Sequence, residues 1–471
     1  MTVGDAVVDA VLPKLERRIA TLVRQHHLPG AAVGVVRDQE LAWRGGYGFA
    51  EIATGRRPDA DTLYRVASIT KTFTATAILQ LRDEGRLGLD EPIARHLPEF
   101  GAVTARIGTV EDATFRRLLS HRSGLITEGP FSYWDTQEFP SMEEVLTKLV
   151  ETEMVIEPGS SAKYSNLAFS LLGEVVTRLS GRPYETYVRE AIFAPLGMES
   201  STFAPEGALR ERLAIGYDPH PFEDEPRPAG HTSTRGITAA AGLYTSVRDL
   251  ARWIALQFRT DAESRTDDQI VSGLTVEEMH RPQEIDPTWT MARCLGWMAQ
   301  RRGERVYHGH GGSIHGFITQ ILFSKPHKTG VIVLTNEGRH GATGLIAVEM
   351  LDALVEAAGT VGQADAWLPP APTPPAWQRY LGRYEYWRGG LIHVEARDGK
   401  LMLALPPGVE SSLHAPAPLE ATAESHVFRV GAGRGAGELL SFRLVAGGDV
   451  EGFTLAGFSY FKLRGAPERT T

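Results

Sequence analysis

Three separate stretches carry side chains that chemistry could use. The first is Ser68-Ile69-Thr70-Lys71. A serine hydroxyl is a weak nucleophile at neutral pH and needs a base beside it. On a helix, positions i and i+3 share a face, which brings the Lys71 amine to the Ser68 hydroxyl. At a helix start Ser68 would also meet unsatisfied backbone N–H groups and the positive end of the dipole. The same four residues read equally well as an N-cap serine followed by a solvated lysine. The second stretch is Tyr164-Ser165-Asn166. A tyrosine can act as a general base where nearby cations lower its pKa from about 10, and an asparagine can hold a substrate amide or the lysine. The plain alternative is a core-packed loop tyrosine and an asparagine N-cap.

The third stretch is His308-Gly309-His310-Gly311-Gly312-Ser313, between strand-like runs. Glycines there let a substrate lie close against an edge strand, and a backbone N–H can serve as an oxyanion donor. A metal site built from His308, His310 and His315 is the rival reading, since alternate residues of a strand share a face. No carboxylate or cysteine ligand accompanies them. A phosphate loop is weaker still, because no Gly-Lys-Ser/Thr follows the glycines.

The elements that must position these groups are legible in outline. Residues 31–36 and 41–50 read as a hairpin around the polar turn 37–39. A strong helix runs over 68–84 and stops at Gly85; a second follows Asn166 and stops at Gly181; a third covers 246–258. Strand-like runs at 305–308, 317–323 and 330–336 precede a helix over 342–358. Strands at both ends with helices between them imply an α+β unit, its antiparallel sheet assembled from the two ends. The stretch 368–377, LPPAPTPPAW, is proline-rich and extended. Beyond it, short strands at 380–387, 391–396, 400–405, 427–430, 439–445 and 453–463 imply a small all-β module, a barrel or sandwich. The expected organisation is a catalytic unit over 1–362, a linker over 363–376 and a β-module over 377–471.

Composition narrows the function classes. The net charge of −9 carries no basic block, which excludes sequence-independent nucleic-acid binding. The single cysteine, Cys294, excludes an internal disulfide and a multi-cysteine zinc site. No run of about 18 apolar residues could span a bilayer. The first 25 residues lack a cationic segment ahead of their apolar stretch, so they read as a surface helix rather than a secretory signal, and a cytoplasmic location is expected. No metal or other cofactor is implied, and the oligomeric state is left open.

Taken together, Ser-x-x-Lys, Tyr-x-Asn and His-x-Gly, in that order, resemble the penicillin-binding-protein/class C β-lactamase type of serine hydrolase. The related trio of class A enzymes is built from the same kinds of group. LLSHRSGL at 118–125, PLGMESSTF at 195–203 and AAGLYTSVRDLARW at 240–253 extend the likeness over roughly residues 5–358. The C-terminal module resembles the lipocalin-like domain of some D-aminopeptidases and penicillin-binding-type peptide cyclases.

The resemblance implies a mechanism. Ser68 attacks an acyl carbonyl, Lys71 and Tyr164 handle its proton, and Asn166 orients substrate and Lys71. His310, Gly311 and Gly312 line the substrate, and the backbone N–H groups of Ser68 and Ser313 form the oxyanion hole. Many enzymes of the type carry lysine where this chain has His310. A histidine is mostly neutral at pH 7, so weaker recognition of substrate carboxylates is expected. The implied substrates are small peptides, amides, esters or peptidyl thioesters, D-residues included. The leading expectation is a peptidase, amidase or head-to-tail peptide cyclase. A carboxylesterase is the alternative, with a β-lactamase and a catalytically silent binding protein behind it. His121, Glu157 and Glu174 are expected to be structural or surface residues. The aromatic stretch 131–139, FSYWDTQEF, reads evenly as pocket lining or as packing.

Overall fold

Gly30–Arg37 (β1) is small and β-branched and is buried over seven of its eight residues, so it sits inside a sheet and not at its rim. Glu40–Gly48 (β2), richer in glycine and aromatics, has no fully buried residue, as suits an edge. In the computed structural model, which describes residues 5–218, 226–260, 268–338, 342–360, 374–386, 390–397, 399–405, 416–432 and 435–463, six later strands complete this sheet. They are Glu284–Ile285 (β3), Met291–Arg293 (β4), Met298–Arg302 (β5), Arg305–Ile314 (β6), Phe317–Ser324 (β7) and Thr329–Thr335 (β8). The order is β2-β1-β8-β7-β6-β5-β4-β3, with every pair antiparallel. N-terminal strands therefore pair with C-terminal ones, as the sequence pattern requires.

Two helices at the ends of this unit are tied to each other. Ala6–Gln25 (α1) buries Val8, Val11, Leu15, Ile19 and Leu22, a single stripe at helical spacing. Its Arg18 makes a two-pronged ion pair, at 2.7 and 2.9 Å, with Glu349 of the last helix. The insertion between β2 and β3 holds Thr70–Asp83 (α2), Asn166–Ser180 (α3) and Val247–Leu256 (α4); the last helix, Ala342–Thr360, is α5. Every residue of α2 from Thr70 to Leu81 is buried, although four of them are threonines. Burial is tolerated because each hydroxyl is used. Thr72 accepts from Trp253 Nε1 at 3.0 Å, Thr74 bonds Tyr184 and the Ala239 carbonyl, and Thr70 donates to the Ala67 carbonyl. Gly85 at φ +72° and Gly181 at φ +70° end α2 and α3 in the left-handed region that glycine favours.

The chain divides into two units, Met1–Arg339 with Thr343–Gly362, and a second made chiefly of Gln363–Thr471. Most of the expected proline-rich linker, residues 363–373, lies outside the described residues. The second unit is a closed antiparallel barrel of eight strands. They are Gly382–Tyr386 (β9), Gly390–Arg397 (β10), Lys400–Ala404 (β11), Ala417–Ala421 (β12), Val427–Val430 (β13), Leu439–Leu444 (β14), Val450–Leu455 (β15) and Phe458–Lys462 (β16). Pairing of β9 with β16 closes it and removes the edges. Tyr384, Phe428, Phe442 and Phe453 fill its core. The barrel differs from the sequence expectation in two places. β12 carries Pro418, and the run 453–463 is two strands, broken where Ala456 and Gly457 both take positive φ, +52° and +79°. Among the described residues no helix is long and apolar enough to cross a membrane.

Candidate active site

Ser68 lies in a 3-10 turn, Ala67–Ile69, that feeds directly into α2. The preceding Ala67 has φ +45°, a backbone state that costs a side-chain-bearing residue about 1 kcal/mol or more. The turn is held from several sides. The Val66 N–H donates to the Leu243 carbonyl at 3.0 Å, the Leu243 N–H to Thr70 Oγ1 at 3.1 Å, and the Thr319 hydroxyl to the Val66 carbonyl at 3.3 Å.

One turn on, Lys71 is fully buried. Its ammonium nitrogen lies 3.1 Å from Ser68 Oγ, 2.7 Å from Asn166 Oδ1 and 2.9 Å from the Ala240 carbonyl. All three partners are neutral. Burial disfavours the charge and pulls the Lys71 pKa down to about 7, against the opposing pull of the Glu128 carboxylate. A neutral amine at that distance can take the hydroxyl's proton.

The Tyr164 phenol hydrogen-bonds the Ser68 hydroxyl. Its ring centroid lies 4.9 Å from Lys71 Nζ. Burial pushes the phenol up to about 12, although Ser68 and the Arg293 cation pull the other way. The general-base role open to this tyrosine in the sequence required cations to win. Here desolvation wins, so the Tyr164 phenol stays protonated near neutral pH.

Asn166 is the first residue of α3; the N-cap is Ser165, whose hydroxyl accepts from the Ala168 N–H at 3.0 Å. That division frees the Asn166 amide to bridge. Its oxygen meets Lys71, and its nitrogen donates to Glu128 Oε1 at 2.5 Å. Glu128 also accepts from Trp134 Nε1 at 2.9 Å and from the Tyr133 hydroxyl. The stretch 131–139 is thus a packed aromatic cluster, with Tyr133 stacked on Phe139 at 5.0 Å, whose polar atoms grip one carboxylate. Burial raises the Glu128 pKa, while Trp134, Asn166 and Lys71 lower it.

His310 lies on the face of β6 toward this cluster. Its Nδ1–H donates to the Gly311 carbonyl at 2.6 Å, and burial, then Lys71, push its pKa down to about 3, so the ring is neutral. Gly312 shares that face, and a Cβ there would sit 2.1 Å from the Val66 carbonyl. The glycine is what lets the Ser68 turn reach the sheet. The whole motif, Ser313 included, belongs to a ten-residue strand and not to a connection between strands. β7 pairs with it from His308 to Ile314, whereas β5 pairs only from Arg305 to Gly309. The stretch from His310 onward therefore has a strand on one edge alone. The three histidines of the metal alternative do not converge. His308 packs on His280 at 5.1 Å and on Phe323, and His315 Nε2–H donates to the Trp134 carbonyl at 3.0 Å.

Two neighbours went unrecognised in the sequence as parts of the site. His121, read as a plain loop residue, lies 4.3 Å from the Tyr164 ring at a tilt of 31°, and its Nδ1 accepts from the Ser165 N–H at 3.1 Å. Burial keeps it neutral. Glu128 drew no attention, although its partners Tyr133 and Trp134 follow within six residues; its link to the site runs through Asn166, 38 residues on. Glu174 pairs with Arg178 at 2.8 Å one helical turn away, as a surface residue does.

Residues 15–353 match the Beta-lactamase family. The chain belongs to that family. It is 26% identical over 328 residues to protein flp of Staphylococcus aureus strain N315, covering 69% of this chain and 62% of that protein. This chain thus matches less than two thirds of that relative's length. It is 25% identical over 430 residues to Beta-lactamase-like protein 2 of Dictyostelium discoideum, covering 85% and 75%. The structure of the octameric penicillin-binding protein homologue from Pyrococcus abyssi superposes with TM-score 0.65 at 24% identity, over 96% of this chain and all of that one. The structure of SurE gives TM-score 0.61 at 23% identity, over 97% and 100%. These two likenesses establish the fold: a β-lactamase/penicillin-binding-protein-like unit with a closed β-barrel after it.

Proposed function

We propose that the chain is an acyl-Ser68 enzyme working on small peptide-type acyl donors, by hydrolysis or by transfer to an amine. The observation that carries this reading is the 3.1 Å contact between the Ser68 hydroxyl and a buried lysine whose pKa has fallen to about 7. Neutral Lys71 takes the proton of Ser68 as Oγ attacks the carbonyl. The tetrahedral oxyanion is met by the backbone N–H groups of Ser68 and Ser313. The acyl–leaving-group bond then breaks. Tyr164, protonated below about pH 12, supplies the proton that the leaving nitrogen, oxygen or sulfur gains. The proton taken by Lys71 returns to the phenol through the hydrogen bonds that join all three groups. Water or an amine then attacks the ester by the reverse route. Peptide donors are favoured over simple esters by the likeness of the His310 motif to the D-aminopeptidase and peptide-cyclase branch.

The test is intact mass after exposure to a fluorophosphonate. One adduct per chain is expected, absent in Ser68→Ala and slowed by about a thousandfold in Lys71→Ala. An adduct undiminished in Ser68→Ala refutes the assignment. Incubation with a D-amino acid amide, a peptidyl thioester, a nitrophenyl ester and a cephalosporin then ranks the donors.

A further inference from the structure

Three side chains donate to Glu128, and one of them, Trp134, is itself tied to a distant part of the chain. Tyr133–Thr136 is a helix of a single turn. The Glu138 N–H, which a longer helix would give to the Trp134 carbonyl, goes to Thr136 Oγ1 at 3.2 Å. Two side chains meet that carbonyl instead, Gln137 Nε2 at 2.9 Å and His315 Nε2 at 3.0 Å. His315 lies in the two-residue turn between β6 and β7, 181 positions away. The ring is fixed on its other side as well. Nδ1 lies 3.4 Å from Asp218 Oδ2, and Asp218 Oδ1 accepts from the Gly316 N–H of the same turn at 2.9 Å. Asp218 is closely packed, since a Cβ at Gly338 would sit 2.1 Å from its Oδ1.

Trp134 carries this backbone contact inward through its side chain. Its indole donates to Glu128 Oε1 at 2.9 Å, the same oxygen that the Asn166 amide meets at 2.5 Å. Asn166 Oδ1 in turn meets Lys71 at 2.7 Å. Direct contacts therefore run without a break from a partly exposed turn to the buried amine. Further along, Arg235 fastens the aromatic stretch at the Phe139 carbonyl, at 2.9 Å. His315 fastens it at the residue that touches Glu128. We propose that His315 is a positioning residue, which holds the Glu128 carboxylate at its set distance from Lys71 by anchoring the Trp134 backbone. The proposal rests on the acyl-Ser68 reading and deepens it. Without the anchor Glu128 moves outward, because burial penalises its charge and water does not. The charged groups facing the His315 contact include Asp218 and, opposite Asp218 in register, Arg227. Around Lys71 the Tyr164 phenol and the His121 and His310 rings are neutral, so Glu128 is the anion whose pull reaches the amine.

The experiment follows fluorophosphonate labelling of the full chain against pH. His315→Ala should move the acid limb down by about 0.5–1 unit, the change expected when two charges about 7 Å apart separate to about 12 Å. His315→Gln, whose amide nitrogen takes the place of Nε2, should stay within about 0.3 unit of wild type. Trp134→Phe keeps an aromatic ring, deletes the donor to Glu128, and should move the limb in the same direction as His315→Ala. Added to Glu128→Gln, His315→Ala should produce no further shift, because the charge it positions is gone. An unmoved limb in His315→Ala or in Trp134→Phe overturns the proposal, even where the rate falls at every pH, as a mere loosening of the fold would make it do. So does an equal shift in His315→Gln, or a full second shift on top of Glu128→Gln. The ε-carbon NMR titration of Lys71, compared between Ser68→Ala and the same chain carrying His315→Ala, reads the midpoint without any reaction. A drop there upholds the His315 path whatever Ser68 does, and no drop sinks it.

Discussion

Replacing Glu128 by glutamine removes one negative charge and keeps a side chain of the same shape. The Lys71 nitrogen is 2.7 Å from one end of the Asn166 amide, and Glu128 is 2.5 Å from the other. That chain of contacts puts the two charges about 7 Å apart, and at an effective dielectric of about 20 their attraction is about 2.4 kcal/mol, or about 1.7 pH units. Glu128 is partly accessible to solvent, which reduces the effect toward about 1 unit. The attraction stabilises the Lys71 ammonium, so it raises a pKa that burial has brought to about 7. Lys71 must be neutral to accept the Ser68 proton, so activity rises with pH through that value. Without the charge, the acid limb should move to lower pH by about 1–2 units. The readout is the second-order rate of fluorophosphonate labelling against pH. Fluoride leaves without help from Tyr164, so this rate isolates the base. Intrinsic fluorescence of Trp134, which donates to Glu128, reports whether the aromatic cluster stays in place. An acid limb that stays within 0.3 unit of about 7, or moves upward with Trp134 emission unchanged, would refute the electrostatic link.

The remaining predictions follow from single contacts. Tyr164→Phe should slow hydrolysis of amide donors by about a hundredfold or more, yet slow fluorophosphonate labelling by less than about tenfold, because only the amide needs a proton to leave. Equal losses in the two assays would remove the proton-donor role. Gly312→Ala places a Cβ 2.1 Å from the Val66 carbonyl and should push the Ser68 turn off the sheet. Labelling should fall sharply and the unfolding midpoint should drop by an amount corresponding to about 1–3 kcal/mol. Labelling at the wild-type rate would show that the close approach is not needed.

What was legible in the sequence follows from the range of each interaction. Ser68 and Lys71 are related by one helical turn, so their meeting could be read from spacing alone, and 3.1 Å is the result. The anchoring of Asn166 at the start of α3 was legible from the helix that follows it. The split of labour, with Ser165 as the cap and Asn166 as the bridge, needed the partners. Glycines made the stretch from His308 to Ser313 look like a connection, because glycine weakens a strand when only local propensity is weighed. The strand persists because β7 pairs along it and the Ser68 turn packs at Gly312. In the barrel, Pro418 hid β12, and Ala456-Gly457 lacks the asparagine or aspartate that usually announces a tight turn. Glu128 was illegible as a site residue for a different reason: its aromatic partners are near in sequence, but its link to Lys71 runs through Asn166, 38 positions from Glu128 and 95 from Lys71.

The placement of Glu128 explains how a buried lysine can be neutral in a site that also contains a carboxylate. A carboxylate in direct contact with Lys71 would hold it as an ammonium, as an opposite charge within about 4 Å does. Lys71 would then have a proton to give but no lone pair to accept one. Three neutral oxygens occupy those contacts instead, from Ser68, Asn166 and Ala240. They satisfy the hydrogen bonds of the nitrogen without favouring its charge as strongly as an anion would. Glu128 stands one amide further out, where its field trims the pKa and does not dominate it. It is fixed there by Tyr133, Trp134 and Asn166 together. By this argument Asn166→Asp should be far more damaging than Glu128→Gln. It moves a negative charge from the second position into the first, raises Lys71 well above neutrality, and sets two carboxylates against each other at 2.5 Å. Fluorophosphonate labelling at pH 7 should fall by about a hundredfold or more and recover as the pH rises toward 10. A loss that high pH does not reverse would mean that Asn166 serves geometry and not the charge state of the lysine.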